Sequence, residues 1–185
     1  MRNWSNSLLL GLIGVFVVGE MGFGKDGAEL RSTSEAMELR RGALALEWRV
    51  PAGADGVKCV VVLASGDGGW SGWEEAVSRR LVRHGCLVVG VDMQKYAATD
   101  FDEEILGSDF AKIAGAGVER GGGKDLPVLY VGWSMGAVEV VAAAAYEGRP
   151  ANLKGILLIS AGKRGRFGLR LPDRAGVPPY GAGTF

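Results

Sequence analysis

A serine flanked by glycines has the spacing of an activated nucleophile. The motif is Gly132-Trp133-Ser134-Met135-Gly136, a G-x-S-x-G pattern between an apolar run and an alanine-rich run. In hydrolases this pattern holds the serine on a strained strand-to-helix turn, with its hydroxyl exposed above the sheet. The dipole of the following helix favours negative charge on a nearby oxygen. We therefore predict that Ser134 is a nucleophile; the alternative is an ordinary glycine-rich turn.

A second glycine-rich segment, Ser65-Gly66-Asp67-Gly68-Gly69-Trp70, follows an earlier β-branched run. An oxyanion hole of this architecture combines the N–H after the nucleophile with an N–H from an early strand-to-helix loop. We predict that the Met135 and Gly68 N–H groups form this hole and that Gly69 contacts substrate. Asp67 either binds a substrate group, orients the loop or caps the next helix, and capping is the simplest of these roles.

A third cluster, Asp92-Met93-Gln94-Lys95-Tyr96, comes directly after another apolar run. Ligands of open α/β sheets bind at the carboxyl ends of the strands. Lys95 could therefore pair with an anionic group of a substrate. The alternative makes Lys95 a solvated loop charge and Asp92 a turn former.

These motifs need a frame of alternating strands and helices. Apolar runs predict strands at 43–50, 57–64, 87–91, 127–132 and 155–160. Helical spacing predicts helices at 73–83, from Thr99 or Asp100 to about residue 113, and at 137–146. This alternation is typical of an α/β fold, a parallel sheet with helices on both faces.

The amino terminus has the composition of an export signal. Arg2 precedes an apolar run at 8–18, and Gly22 and Gly24 give a small-x-small cleavage pattern. The run is shorter than the roughly 20 residues that span a bilayer, so we predict a signal peptide at 1–24. The alternatives are an uncleaved anchor and a buried first helix. We expect a periplasmic or secreted protein without a transmembrane anchor after cleavage, with a loose lead-in at 25–42, a domain at 43–160 and an irregular tail at 161–185.

Composition excludes several classes of function. The formal net charge is zero and hydrophobic residues make up 48% of the chain, which argues against nucleic-acid binding and against disorder. With one histidine and two cysteines, we expect neither a metal site nor a cofactor. We expect Cys59 and Cys86 to be two small buried apolar side chains. A disulfide between them is the alternative.

The order SGDGGW, GVDMQKY and GWSMGA resembles the bacterial virulence protein VirJ/AcvB family, from about residue 57 to 160. The resemblance implies an exported protein with an α/β-hydrolase-like fold that is associated with type IV secretion proteins. It also implies ester hydrolysis on a small-molecule or lipid ester, including aminoacylated phospholipids. Ser134 matches the nucleophile of the family, and Asp67 and Lys95 match its site motifs.

The chain departs from this pattern because no histidine follows Ser134. Hydrolases of this fold place the acid and then the histidine after the serine. The acids after Ser134 are Glu139, Glu147 and Asp173, of which Asp173 is a weak candidate. His84 precedes the serine and is expected to end a helix far from it. We therefore expect the closing strands of the family's fold to be missing, which leaves three hypotheses: a truncated serine hydrolase, a non-catalytic exported binding module, or an enzyme whose base comes from another chain.

Overall fold

The computed structural model describes residues 30–52, 56–123 and 125–162. The strands are β1 (Leu30–Leu39), β2 (Gly42–Pro51), β3 (Cys59–Ala64), β4 (Cys86–Val91), β5 (Val128–Trp133) and β6 (Leu153–Ile159). The helices are α1 (Gly72–Arg83), α2 (Met93–Tyr96), α3 (Glu103–Arg120) and α4 (Met135–Ala145). The predicted signal peptide at 1–24 and the tail from residue 163 lie outside the described residues.

The six strands form one sheet in the order β1-β2-β4-β3-β5-β6. The strands β4, β3, β5 and β6 are parallel, which confirms the α/β class. The sheet is mixed rather than wholly parallel, because β1 and β2 form an antiparallel hairpin and β2 also runs antiparallel to β4. The turn at Arg40 and Arg41 explains the hairpin, since so short a connection joins only antiparallel strands.

The predicted loose lead-in at 25–42 is also wrong where the structure describes it. All ten residues of β1 pair with β2, from Leu30 opposite Pro51 to Leu39 opposite Gly42. Most of β1 is exposed, so no apolar alternation marked it as a strand. Backbone pairing rather than burial makes this segment a strand.

Helices cover both faces of the sheet, as predicted. Helix α1 packs one face, where Val82 joins a core with Val61, Leu63, Val88 and Val131. Helices α3 and α4 pack the other face, where Phe110 and Val140 join a core with Val60, Val62, Val89 and Tyr130. Within the described ranges, no helix has the length and apolar character needed to cross a membrane.

Two local predictions are corrected. Helix α3 is capped by Asp102 rather than by Thr99 or Asp100, because the Asp102 carboxylate accepts the Ile105 N–H at 2.7 Å. Cys59 and Cys86 form a disulfide instead of remaining two separate apolar side chains. They lie directly opposite each other at the start of β3 and β4, with their Cα atoms 4.7 Å apart.

A buried carboxylate fastens the β1–β2 hairpin to α3. Asp109 is 1% exposed and accepts the backbone N–H groups of Arg40 at 2.6 Å and Arg41 at 3.3 Å. The Tyr96 hydroxyl donates to the same carboxylate at 3.0 Å. Burial, followed by the neighbouring Asp109 charge, raises the pKa of Tyr96. The hairpin, α2 and α3 are therefore joined through one side chain.

Candidate active site

Ser134 occupies the turn between β5 and α4, which confirms the predicted strand-to-helix position. Its φ is 51° and its ψ is −113°, a conformation that non-glycine residues rarely adopt. The Ser134 side chain makes no capping hydrogen bond to α4 and is half-buried. Such strain is typical of functional sites, where the surrounding structure holds the residue in place.

The two glycines of the motif allow the backbone to pack closely around this turn. A Cβ at Gly132 would overlap the backbone of Gly136, and a Cβ at Gly136 would overlap the Ser65 carbonyl oxygen. Any side chain at either position would push the strand, the helix and the Ser65 loop apart. The glycine spacing is therefore required by geometry.

The glycine-rich loop after β3 lies beside Ser134, as predicted. Gly66 is the residue of this loop that packs against Trp133 and Ser134. A Cβ on Gly66 would lie 3.4 Å from the Ser134 Cβ and 2.9 Å from Cδ1 of Trp133. The Gly69 N–H donates to the Gly66 carbonyl at 3.1 Å, so it is already used inside the turn. Gly68 is exposed, and open space surrounds the position of its missing Cβ.

Asp67 is exposed and does not cap α1. The cap is Ser71, whose side chain accepts the Trp73 N–H at 3.2 Å while Glu74 accepts the Ser71 N–H at 2.9 Å. The capping prediction is wrong because a capping residue must directly precede the first helical residue. Asp67 lies four positions before Ser71, at the tip of the loop.

The Asp92–Tyr96 cluster forms a short helix beside the same loop. Asp92 caps α2, and its Oδ2 lies 3.2 Å from Nζ of Lys95. Lys95 is thus paired with Asp92, and 61% of its side chain is exposed. The Met93 N–H donates to the Ser65 hydroxyl at 2.9 Å, which joins this cluster to the loop.

An aromatic pair that the sequence analysis missed flanks Ser134. The rings of Trp73 and Trp133 lie 4.4 Å apart between centroids, and both residues are half-buried. In the sequence, Trp73 is simply the first residue of the predicted helix at 73–83, and Trp133 occupies a variable position of the G-x-S-x-G motif. The position of Trp133 directly before the serine of the motif is the sequence signal that could have indicated this aromatic pair.

His84 lies away from Ser134, as predicted. It ends α1, and its N–H donates to the Leu81 carbonyl at 3.0 Å. The next strand, β4, begins two residues later, so His84 is at the amino ends of the parallel strands. Ser134 follows the carboxyl end of β5, at the opposite edge.

Neither of the two described acids after Ser134 supplies a base. Glu139 is fully buried on α4, has no hydrogen-bond partner, and its pKa is raised to about 8 by burial. Glu147 is exposed beyond the end of α4, and Asp173 lies outside the described residues. In the described part of the chain, no group of three or more His, Cys, Asp or Glu side chains could hold a metal ion.

Solved structures with a similar fold include a dienelactone hydrolase and two esterases. Dienelactone hydrolase from Anabaena variabilis is 20% identical, with a TM-score of 0.53 over 69% of this chain and 62% of that one. A carboxyl esterase from Bacillus coagulans is 17% identical, with a TM-score of 0.53 over 69% and 43%. The bacterial brefeldin A esterase is 22% identical, with a TM-score of 0.53 over 77% and 43%. These identities establish the fold alone, and this chain spans less than two thirds of each structure.

No curated protein matches the sequence. A family description does match, and it covers residues 58–178, more than half of the chain. This range includes the Ser65 loop, the Asp92 cluster and the Ser134 turn. The chain belongs to the bacterial virulence protein (VirJ) family, and its fold is that of the α/β-hydrolases.

Proposed function

We propose that this chain carries the nucleophile and oxyanion hole of an exported ester hydrolase. The observation that carries the proposal is the strained Ser134 at the end of β5, with Gly66 packed against it. A serine held at positive φ between two obligatory glycines is typical of a nucleophile elbow.

In this reaction the Ser134 Oγ attacks the ester carbonyl carbon while a base removes the hydroxyl proton. The Met135 N–H lies in the first turn of α4, where N–H groups have no intrahelical acceptor. Together with the Gly68 N–H it would bind the oxyanion, and one such donor is worth about 3 kcal/mol in the transition state. The alcohol leaves with the proton, and water then releases the acid and restores the serine.

The substrate class follows from the family and from the side chains around the serine. The VirJ/AcvB resemblance favours aminoacylated phospholipids, in which an amino acid is esterified to a lipid. Asp67 is exposed on the loop and could attract the amino group, and Lys95 could reach a phosphate. Trp73 and Trp133 offer an apolar wall, and Gly69 shapes the loop between these groups.

The proposal includes export to the periplasm or the medium, directed by the signal peptide at 1–24. Secretion-system proteins are the proposed partners, in keeping with the family resemblance. The base comes from outside the described residues, because the one histidine of the chain lies at the wrong edge of the sheet.

A second candidate function is a non-catalytic exported binding module. The absence of a histidine near Ser134 favours it, because serine without a base is a weak nucleophile at neutral pH. Such a module would keep the loop and the aromatic pair but would bind the ester without cleaving it.

Imidazole rescue distinguishes the two functions. The purified chain is assayed with p-nitrophenyl butyrate at increasing imidazole, and the buffer rate is subtracted. A serine hydrolase lacking only its base should gain about tenfold or more in rate. Ser134→Ala should remove this gain, and Ser160→Ala should retain it, since Ser160 also has a positive φ at a strand end. Equal rates for the parent and Ser134→Ala would reject the hydrolase and favour the binding module.

A further inference from the structure

Ser65 is a fully buried serine at the start of the glycine-rich loop, and its hydroxyl both donates and accepts a hydrogen bond. The Ser65 hydroxyl donates to the Gly66 carbonyl at 3.1 Å. The same oxygen accepts the N–H of Met93, the first residue of α2, at 2.9 Å. A hydroxyl with partners for both functions is held in one orientation. This side chain therefore joins the glycine-rich loop to the Asp92–Tyr96 cluster.

The backbone of Ser65 contacts two further elements. Its N–H donates to the carbonyl of Val91, the last residue of β4, at 3.0 Å. Its carbonyl oxygen would lie 2.3 Å from a Cβ at Gly136, so it packs directly against the first turn of α4. Because β3 lies between β4 and β5 in the sheet, the residue that follows β3 is held from both sides.

The peptide bond between Gly66 and Asp67 is oriented by two donors. The Gly66 carbonyl accepts both the Ser65 hydroxyl and, at 3.1 Å, the Gly69 N–H. The N–H of a trans peptide points away from the carbonyl, so the Asp67 N–H points away from the buried Ser65 hydroxyl. Gly69 ends the same turn against Asp92, whose Oδ1 would lie 3.0 Å from a Cβ at Gly69. The loop is thus fixed at its start and at its end.

The position of this loop matters because an oxyanion donor acts over a narrow range of distances, about 2.7–3.1 Å. A displacement of about 1 Å in a reacting site can cost about 10²-fold in rate. Three of the four residues at 66–69 are glycines, which have little intrinsic preference for one backbone conformation. Contacts with neighbouring elements must therefore order the loop, and the Ser65 hydroxyl supplies such a contact from the protein interior.

We propose that Ser65 is a positioning residue, whose hydroxyl holds the N–H groups of the glycine-rich loop where they bind the oxyanion formed at Ser134. This inference rests on the proposed function, because the orientation of the loop affects a rate only if Ser134 attacks an ester. Ser65 is buried and does not touch the ester itself. Its hydroxyl therefore acts on the transition state through the loop, and its loss should lower kcat without weakening ester binding.

The first measurement is imidazole-rescued hydrolysis of p-nitrophenyl butyrate by the full 185-residue chain. Ser65→Ala should lower kcat about tenfold or more and change KM by less than about twofold. Ser65→Cys, whose thiol is a weaker donor and acceptor, should give an intermediate kcat. Ser78→Ala is the matched control, because Ser78 is also fully buried and its hydroxyl donates to the Glu74 carbonyl within α1. It should leave both constants unchanged, and circular dichroism checks that all three variants are folded.

The second measurement is amide hydrogen exchange at Met93, followed by NMR. Its N–H should exchange faster in Ser65→Ala and at the parent rate in Ser78→Ala, and unchanged exchange in Ser65→Ala would overturn the inference. An unchanged kcat in Ser65→Ala, or a loss that lies in KM, would also overturn the inference but leave the proposed function intact, since the parent is still rescued. A parent chain without any imidazole-dependent, Ser134-dependent rate would instead reject the proposed function and the positioning role with it.

Discussion

The two outer strands of the sheet differ in the chemistry that they expose. On β1 the exposed residues are mainly polar or charged, from Arg31 to Glu35. On β6 they are Lys154 and three consecutive aliphatic residues, 156–158, whose side chains alternate between the two faces of the sheet. Polar and charged side chains are a common protection of a true sheet edge. Among the described strands, β1 therefore has the composition of an edge strand, whereas β6 has that of an interior strand.

The two buried carboxyl groups show a similar contrast. Asp109, which holds the hairpin of β1, accepts hydrogen bonds from two backbone N–H groups and from Tyr96. Glu139, on the helix that packs against β5 and β6, has no partner for either oxygen. Burial of an unpartnered carboxyl favours its neutral form, which is why the pKa of Glu139 is raised to about 8. The buried carboxyl on the β1 side is thus satisfied, and the buried carboxyl on the β6 side is not.

Removal of the Asp109 carboxylate should have the largest effect on stability. Asp109→Ala leaves three donors without their acceptor, and we expect the free energy of unfolding to fall by about 4 kcal/mol. Urea unfolding followed by circular dichroism measures this loss. Glu104→Ala, on the same helix, removes only an exposed ion pair with Arg40 and should change little. If the two variants were equally stable, the hairpin would not depend on Asp109.

The charge state of Glu139 should have a smaller effect that depends on pH. The folded state holds this proton more tightly than the unfolded state, whose pKa is near 4.5. Stability should therefore fall as the pH rises from about 4.5 to 8, and at pH 7 the loss should be about 3 kcal/mol. Glu139→Gln cannot ionise and should flatten this part of the profile. Parallel profiles of the parent and the variant, from thermal unfolding at several pH values, would show that Glu139 finds a partner in solution.

Much of this fold could be predicted from the sequence, because most elements bury an apolar face. The strands β2 to β6 and the helices α1, α3 and α4 all followed from apolar runs or helical spacing. The missed strand, β1, has no apolar pattern because both of its faces are largely exposed. The Cys59–Cys86 disulfide depends on the register between two strands separated by a helix, and spacing along the chain does not determine that register.

The site was predictable where backbone geometry alone restricts the residue type. Glycines at 132 and 136 are required by close backbone contacts, so the motif identified the turn at Ser134. The roles of side chains were less predictable, because competing partners decide them. Ser71 rather than Asp67 caps α1, and Asp92 pairs with Lys95. The contact between Trp73 and Trp133 joins elements far apart in sequence, which local patterns do not reveal.

The smallest expected effect concerns the charge that protects the β1 edge. The Arg120 guanidinium donates to Glu35 at 3.0 Å, and this hydrogen bond lowers the pKa of Glu35 to about 2. A carboxyl with a lowered folded pKa contributes stability above its unfolded pKa, near 4.5, and loses it as the pH falls towards 2. Arg120→Gln should return the Glu35 titration to near 4.5 in an NMR pH series. Arg31→Gln is the control, about 13 Å away along β1 at the usual rise per residue. A Glu35 titration that Arg120→Gln leaves unchanged would show that the Glu35–Arg120 ion pair does not persist in solution. The exposed polar side chains of β1 alone would then protect this edge strand from pairing with another strand.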